Sequence, residues 1–383
     1  MPVAKTTGGC LVEGLNDVDD RLCSLSDAAP QTLSDGPTAM TVIPKQGHNG
    51  SLTLKDVALE AGVTPMTVSN VLNKRDSEVG AETRQKVQAA IERLGYRPSA
   101  AARRLRRQRS HAIGVLVLDD VPQFLNDPFI TQVVAGISNF ATENGYSVVL
   151  QGVRSASMMS APLLSQIQTD GVCAVLSGPA SQRRTLVNRV VNLRMPLVLI
   201  QEAADQEGVS SVRQDDHGGA VEIARYVVAK GARSLMFLAP GQEWPAISER
   251  IAGVRQVCTA VGARLEIVSC GDETLAVTQN ALRVAFAARG LPDVIIGGND
   301  RMAMAAIQFL RREGIAVPGQ VGVTGFNSFD FAAYSEPSLV TVRSVAYEMG
   351  FRAGQELLGR IETGVFSAAD IVLPVGFVAG QSA

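Results

Sequence analysis

From residue 112 onward the chain alternates short, unbroken apolar runs with longer amphipathic stretches, and few folds accept that order. The runs fall at 112–118, 146–150, 171–176, 197–200, 234–238, 293–297 and 321–324. Runs this short and continuous suit strands buried on both faces, as in parallel sheets. Between them, 129–144, 217–230, 249–262, 274–289 and 300–313 carry apolar residues at helical spacing. Parallel neighbours need a crossover between them, and a helix is the usual one. The pattern therefore predicts doubly wound α/β sheets, and about seven to ten such units are enough for two sheets. In that architecture ligands bind beyond the carboxyl ends of the strands or between the lobes.

The preceding segment has a different texture. Thr53-Leu-Lys-Asp56 reads as a capping-box-like start, with the carboxylate at the favourable end of the helix dipole. Leu54, Val57, Ala58 and Ala61 then share one face, and Gly62 stops the helix. Thr64 is a good N-cap, and Pro65 suits the first helical position because its missing N–H has no partner to lose there. Val68, Val71 and Leu72 form the apolar face of this second helix. After a turn around Asp76 to Gly80, Val87, Ala90, Ile91 and Leu94 mark a third, closed by Gly95. Three short helices with a tight Gly-containing turn describe a helix-turn-helix module or a plain structural bundle. Charge separates the two readings. Lys plus Arg against Asp plus Glu runs 3 to 6 over residues 1–50, 12 to 6 over 51–110 and 20 to 25 over 111–383. A basic module joined to an acidic body favours contact with a polyanion. The outward face of the second helix is also small and polar where a solvated helix would be rich in Glu and Lys.

Other classes find little support. No phosphate loop, G-x-G-x-x-G turn or G-x-S-x-G elbow follows any strand pattern, so an enzyme is not indicated. His48, His111 and His217 sit in the arm, before a strand and at a helix start, which suits surface or helix-end roles. The five cysteines, Cys10, Cys23, Cys173, Cys258 and Cys270, are scattered without metal-ligand spacing, so no metal or other cofactor is implied and a reduced, cytoplasmic compartment is expected. No apolar run approaches a membrane span, and acidic residues stand where a signal peptide would be apolar. Residues 1–50 read as a disordered arm, or as lying partly before the true translation start.

The residues also carry a family likeness. Thr53-Leu-Lys-Asp-Val-Ala, Ala61-Gly-Val-Thr-Pro-Met-Thr-Val-Ser-Asn-Val-Leu-Asn73, Thr83-Arg-Gln-Lys-Val and Leu94-Gly-Tyr-Arg-Pro-Ser-Ala-Ala-Ala-Arg-Arg-Leu105 resemble the DNA-binding headpiece and hinge of the lactose-repressor family of bacterial transcription factors. The likeness continues through Ile113-Gly-Val, Asp127-Pro-Phe129, Asp215-Asp-His-Gly-Gly219, Arg250-Ile-Ala-Gly253, Gly298-Asn-Asp-Arg-Met-Ala303 and Gly325-Phe-Asn327. It implies an all-α helix-turn-helix headpiece at 51–97 and a hinge helix at 98–110. The α/β core at 111–383 would then be two doubly wound parallel-sheet lobes, similar to periplasmic sugar-binding proteins. The first lobe is expected over about 111–200 and 339–366, the second over about 201–338 and 367–383. Such a protein is a transcriptional repressor that binds a palindromic operator in double-stranded DNA as a homodimer, under control of a small effector, a sugar or sugar derivative.

Site residues follow position by position. In such a headpiece the second helix lies in the major groove, where Pro65, Met66 and Asn70 match base-reading positions. Pro65 and Met66 offer apolar contact, for which a thymine methyl is the natural target. Asn70 stands where the family more often has arginine, so it reads adenine, meets a phosphate or makes no contact. Thr64, Thr67 and Ser69 are better suited to phosphate or backbone contact, and Thr53, Asn73 and Tyr96 are further DNA-binding matches. In the hinge, Ser99 caps a short helix on which Ala102, Arg103 and Arg106 face DNA, and Leu105 matches the leucine that wedges into the minor groove. For the effector the matches are Phe129, Trp244, Arg250, Asn299, Asp300 and Asn327. Four have a competing role: core packing for Phe129, loop packing for Trp244, a structural surface role for Arg250 and helix capping for Asp300. Asn327 replaces the family's usual aspartate and leaves the ligand class open.

Overall fold

The computed structural model describes residues 52–72, 75, 78–96, 109–166, 168–271 and 273–383. The arm at 1–50 and nearly all of the expected hinge helix, including Ser99, Ala102, Arg103, Leu105 and Arg106, lie outside these residues, as does Asn73.

The headpiece contains α1 (Leu54–Ala61), α2 (Pro65–Leu72) and α3 (Ala81–Leu94). The Asp56 carboxylate accepts both the backbone N–H and the hydroxyl of Thr53 at 2.7 Å, which anchors the first turn of α1. These hydrogen bonds hold the exposed Asp56 carboxyl below its usual pKa. Gly62 adopts the left-handed conformation that ends α1, and Thr64 Oγ1 accepts the Thr67 amide at 3.2 Å to start α2. Val57, Ala58, Val68, Val87, Ala90 and Tyr96 are buried between the three helices. A core this small leaves the headpiece only modest stability of its own.

The body contains two parallel sheets. The first runs β11-β5-β4-β3-β1-β2, built from β1 (Ala112–Leu118), β2 (Ser147–Val153), β3 (Gly171–Leu176), β4 (Leu197–Ile200), β5 (Val209–Gln214) and β11 (Asp370–Leu373). The second runs β7-β6-β8-β9, built from β6 (Ser234–Ala239), β7 (Arg264–Ser269), β8 (Val294–Gly297) and β9 (Gly322–Thr324). An antiparallel ribbon of β10 (Thr341–Arg343) and β12 (Gly376–Val378) joins the return passages. Helices α4 (Pro128–Glu143), α5 (Ala180–Asn192) and α10 (Ala346–Thr363) cover the first sheet. Helices α6 (Asp216–Ala229), α7 (Pro245–Val261), α8 (Leu275–Arg289) and α9 (Asp300–Arg312) cover the second. Gly136 and Gly350 let α4 and α10 touch along their backbones. A Cβ on the first would lie 2.1 Å from the Tyr347 carbonyl oxygen, and on the second 2.0 Å from that of Val133.

The lobe boundaries differ from those expected. β5 and β11 both belong to the first sheet, so the chain passes between lobes after Gln214, not near residue 200, and returns after Leu373, not near residue 366. The middle passage also shifts. Gly325 and Asn327 donate their amides to the carbonyls of Val340 and Val342 at 2.8 Å, which ties 339–343 to the second lobe rather than the first. The cause is polar sequence inside strands. Ser210 and Ser211 are fully buried in β5, and their hydroxyls donate to the Ala368 carbonyl and to Asp370. Such a segment shows no apolar run.

Candidate DNA-reading face and ligand cleft

On α2 the outward face is formed by Thr64, Pro65 and Met66, all exposed, with Met66 at 65%. Thr67 is half-buried, and its hydroxyl lies 2.9 Å from that of Thr64. Two expected contacts are corrected. Ser69 is only 7% exposed, and the Tyr96 ring, 6% exposed, is a core residue. Tyr96 fills volume in the small three-helix core, and neither side chain is presented on the outward face as Thr64, Pro65 and Met66 are. Thr53 is exposed, but its hydroxyl is spent on Asp56. Asn70 is half-buried, and its Nδ2 donates to Glu78 Oε2 at 2.8 Å, leaving Oδ1 as the side-chain acceptor. Glu78 also lies 3.8 Å from Arg75. Glu78 was missed from sequence because it is eight residues from Asn70, across the turn.

Between the lobes lies a cleft of about 1360 Å³. Its walls come from the carboxyl ends of both sheets. Asp119, Ser177 and Gln201 follow β1, β3 and β4, while Trp244, Glu273 and Asn299 follow β6, β7 and β8. Hydrogen bonds cross between the walls. Gly178 N–H donates to the Glu243 carbonyl at 2.9 Å, Gln242 Nε2 to Ser177 Oγ at 2.6 Å, and Arg301 Nη2 to the Asn126 carbonyl at 2.5 Å.

The expected effector residues all line this cleft. Arg250 is 4% exposed, so the surface alternative for it fails. Its Nε donates to Asp216 Oδ1 at 2.8 Å, Nη1 to the Gly298 carbonyl at 2.6 Å and Nη2 to Asn327 Oδ1 at 3.1 Å. The guanidinium carbon lies 3.7 Å from the centroid of the Phe326 ring. Asp216 is held in turn by Gln201 Nε2 at 2.6 Å, so the first lobe grips the ion pair of the second. Asn299, not Asp300, caps α9: its Oδ1 accepts the Met302 amide at 3.0 Å, and its Nδ2 donates to Glu273. Asp300 is 1% exposed and accepts the Thr341 hydroxyl at 2.6 Å. Burial pushes the Asp300 carboxyl up to about 7, against the Thr341 hydroxyl, the Ser328 and Phe329 amides and Arg250. Phe129 and Trp244 are half-buried and serve both roles, packing on the lobe cores while lining the cleft.

Two carboxylates were not singled out from the sequence as ligand contacts. Asp127 caps α4 by accepting the Phe129 amide at 2.9 Å, and burial raises its pKa, with Asp119 adding to the rise. Glu273 has a left-handed backbone, φ 62°, and its carboxyl is pushed up to about 7. Burial is the largest cause, opposed by Asn299, and the nearby Asp127 raises it further. A signal for Asp127 existed in its Asp-Pro-Phe capping pattern. Glu273 had none, because it stands in the loop between β7 and α8.

The arrangement has relatives. Residues 53–99 match the description "Bacterial regulatory proteins, lacI family", and residues 224–383 match "Periplasmic binding protein-like domain". The HTH-type transcriptional regulator Rv3575c of Mycobacterium tuberculosis (strain ATCC 25618 / H37Rv) is 31% identical over 362 residues, covering 86% of this chain and 98% of that protein. The chain belongs to the lacI family of bacterial regulatory proteins. Two solved structures share its architecture. A lac repressor dimer bound to operator and the anti-inducer ONPF matches with a TM-score of 0.77 and 25% identity, covering 87% of this chain and 99% of that one. The transcriptional regulator CelR in complex with cellobiose matches with a TM-score of 0.64 and 26% identity, covering 87% and 100%. As a lacI-family member the protein is a DNA-binding transcriptional repressor and not an enzyme. No helix among the described residues is long and apolar enough to cross a membrane.

Proposed function

We propose that the protein acts in the cytoplasm as a homodimer on a palindromic operator, and that a sugar or sugar derivative held between the core lobes sets its affinity for DNA. The observation that carries this reading is the cleft: both lobes contribute its walls, and the hydrogen bonds across it are few and polar, so a ligand can change the angle between lobes. A lac repressor dimer on operator and a CelR–cellobiose complex share the fold, which supports both halves of the reading. Pro65, Met66 and Asn70 read bases in this account, and Thr64 and Thr67 meet the backbone. The hinge arginines Arg103 and Arg106 add phosphate contacts, and Leu105 wedges into the minor groove. The ligand must bind the two lobe arrangements unequally, because equal binding shifts nothing.

Fluorescence anisotropy with an operator duplex tests it. Log affinity should fall steeply with log salt, and a ligand found by thermal-shift screening of sugars should change operator affinity. Salt-independent binding, or cleft ligands that leave operator affinity unchanged, would overturn the account.

A further inference from the structure

We propose that Glu78 is a positioning residue for base recognition: its carboxylate fixes the Asn70 amide in one orientation and so selects adenine at the operator position that Asn70 meets. This rests on reading Asn70 as a base contact, and it adds both the base and the residue that sets it.

An asparagine side chain is ambidextrous. Its amide carries two N–H donors on one side and a carbonyl acceptor on the other, and a half-turn about the last side-chain bond exchanges them. In the major groove adenine presents a donor, the N6 amine, beside an acceptor, N7. Guanine presents two acceptors, cytosine a donor, and thymine an acceptor with its methyl group. An amide free to turn therefore finds a partner on every base and discriminates poorly. Held with Oδ1 free and one N–H to spare, it matches adenine alone at both atoms.

The structure supplies the hold. Asn70 Nδ2 donates to Glu78 Oε2 at 2.8 Å. A carboxylate only accepts, so the opposite orientation would set Oδ1 against an oxygen of like charge. Among the described residues no donor is bound to Asn70 Oδ1. Glu78 is itself placed by the backbone. The Arg75 amide donates to the Asn70 carbonyl at 3.1 Å, and the Glu78 amide to the Arg75 carbonyl at 3.1 Å, which returns the chain to the end of α2. The next residue, Val79, is 8% exposed, and its carbonyl accepts Arg84 Nη2 of α3 at 3.2 Å. The second oxygen of Glu78 lies 3.8 Å from Arg75. Residue 78 is thus tied to α2 on one side and to a buried neighbour held by α3 on the other.

Selection from a library of random duplexes with the full-length protein tests the idea, comparing the parent with Asn70→Ala, Glu78→Gln and Glu78→Asp. Asn70→Ala identifies the position, as the one where base preference disappears. There the parent should favour adenine about tenfold or more over guanine and thymine. The Glu78→Gln side chain can donate or accept and so frees the amide, while Glu78→Asp keeps the charge and falls a methylene short. Both should cut the adenine preference about fivefold or more. Loss of charge in Glu78→Gln should also tighten binding to every sequence alike, because a carboxylate repels phosphates. A role confined to folding or to that repulsion would leave the ratio between bases unmoved. In the selected duplex, unsubstituted purine in place of adenine removes the amine and should weaken parent binding about tenfold, and 7-deazaadenine, which lacks N7, should weaken it as well.

An adenine preference intact in both Glu78 variants, or a parent that prefers another base at that position, would overturn the proposal while leaving Asn70 a base contact. A cytosine preference that survives Asn70→Ala and is lost in Glu78→Gln would make Glu78 the reader and overturn it too. If Asn70→Ala leaves every preference unchanged, the base-contact reading fails and the proposal falls with it.

Discussion

On the outward face of α2, Pro65 and Met66 stand exposed to solvent, whereas at the floor of the cleft Arg250 engages all three nitrogens of its guanidinium with Asp216, Gly298 and Asn327. One surface is ready for a partner and holds almost nothing of the fold together. The other is committed to the fold and offers a partner mainly the acceptors left around it. Substitution on the first should therefore alter recognition, while substitution in the second should alter stability before recognition.

The largest expected effect follows from breaking the buried pair. Arg250→Ala leaves Asp216 charged and buried, so denaturant unfolding of the core should show a loss of about 3–5 kcal/mol. A loss below ~1 kcal/mol would mean that water replaces the guanidinium freely and that the contrast between the surfaces is overdrawn. Next comes Asn70→Arg. Base preference at the matching operator position should move toward guanine by about 1–3 kcal/mol, read from binding to a set of half-site variants. Because Glu78 already accepts from residue 70, the new arginine pairs with it, and the shift should grow when Glu78→Gln is added. An unchanged preference in the double variant would remove residue 70 from base reading. Smaller is Thr64→Ala, which deletes the cap of α2 and should lower headpiece stability by about 1 kcal/mol without changing which bases are preferred.

The gentlest test is a pH slope. Glu273 has a folded pKa of about 7, above the value of 4.5 natural to a free glutamate, so the folded state holds the extra proton between those values. Its contribution to stability is then fully present below pH 4.5 and is lost as pH rises through about 7. Unfolding of Glu273→Gln should lack that part of the slope, and an identical slope in parent and variant would place the carboxyl in solvent.

How much of this was legible depended on sequence distance. The three headpiece helices were readable because caps, apolar spacing and terminating glycines all lie within a few residues of one another, as Thr53–Asp56 and Thr64–Thr67 show. The β1, β3, β4, β6 and β8 strands announced themselves as apolar runs. β5 did not, since Ser210 and Ser211 are buried by virtue of partners near residue 370, and β7 did not, since it is an edge strand with one face in solvent. Among the candidate ligand residues, the loop motifs placed Arg250, Asn299 and Asp300 on the lining, but not which of them remain available.

By itself the sequence determined the module order, the helix-turn-helix and the parallel α/β character of the body, because those depend on periodicities repeated locally. Only the tertiary structure decided that Asn299 rather than Asp300 caps α9, that Tyr96 joins the headpiece core and that Ser69 is buried. It also decided that Arg250 is neutralised and that Asp127 and Glu273 line one cleft from opposite lobes. Desolvation and charge pairing depend on distances in space between segments far apart in the chain, and those distances exist only once both sheets have formed.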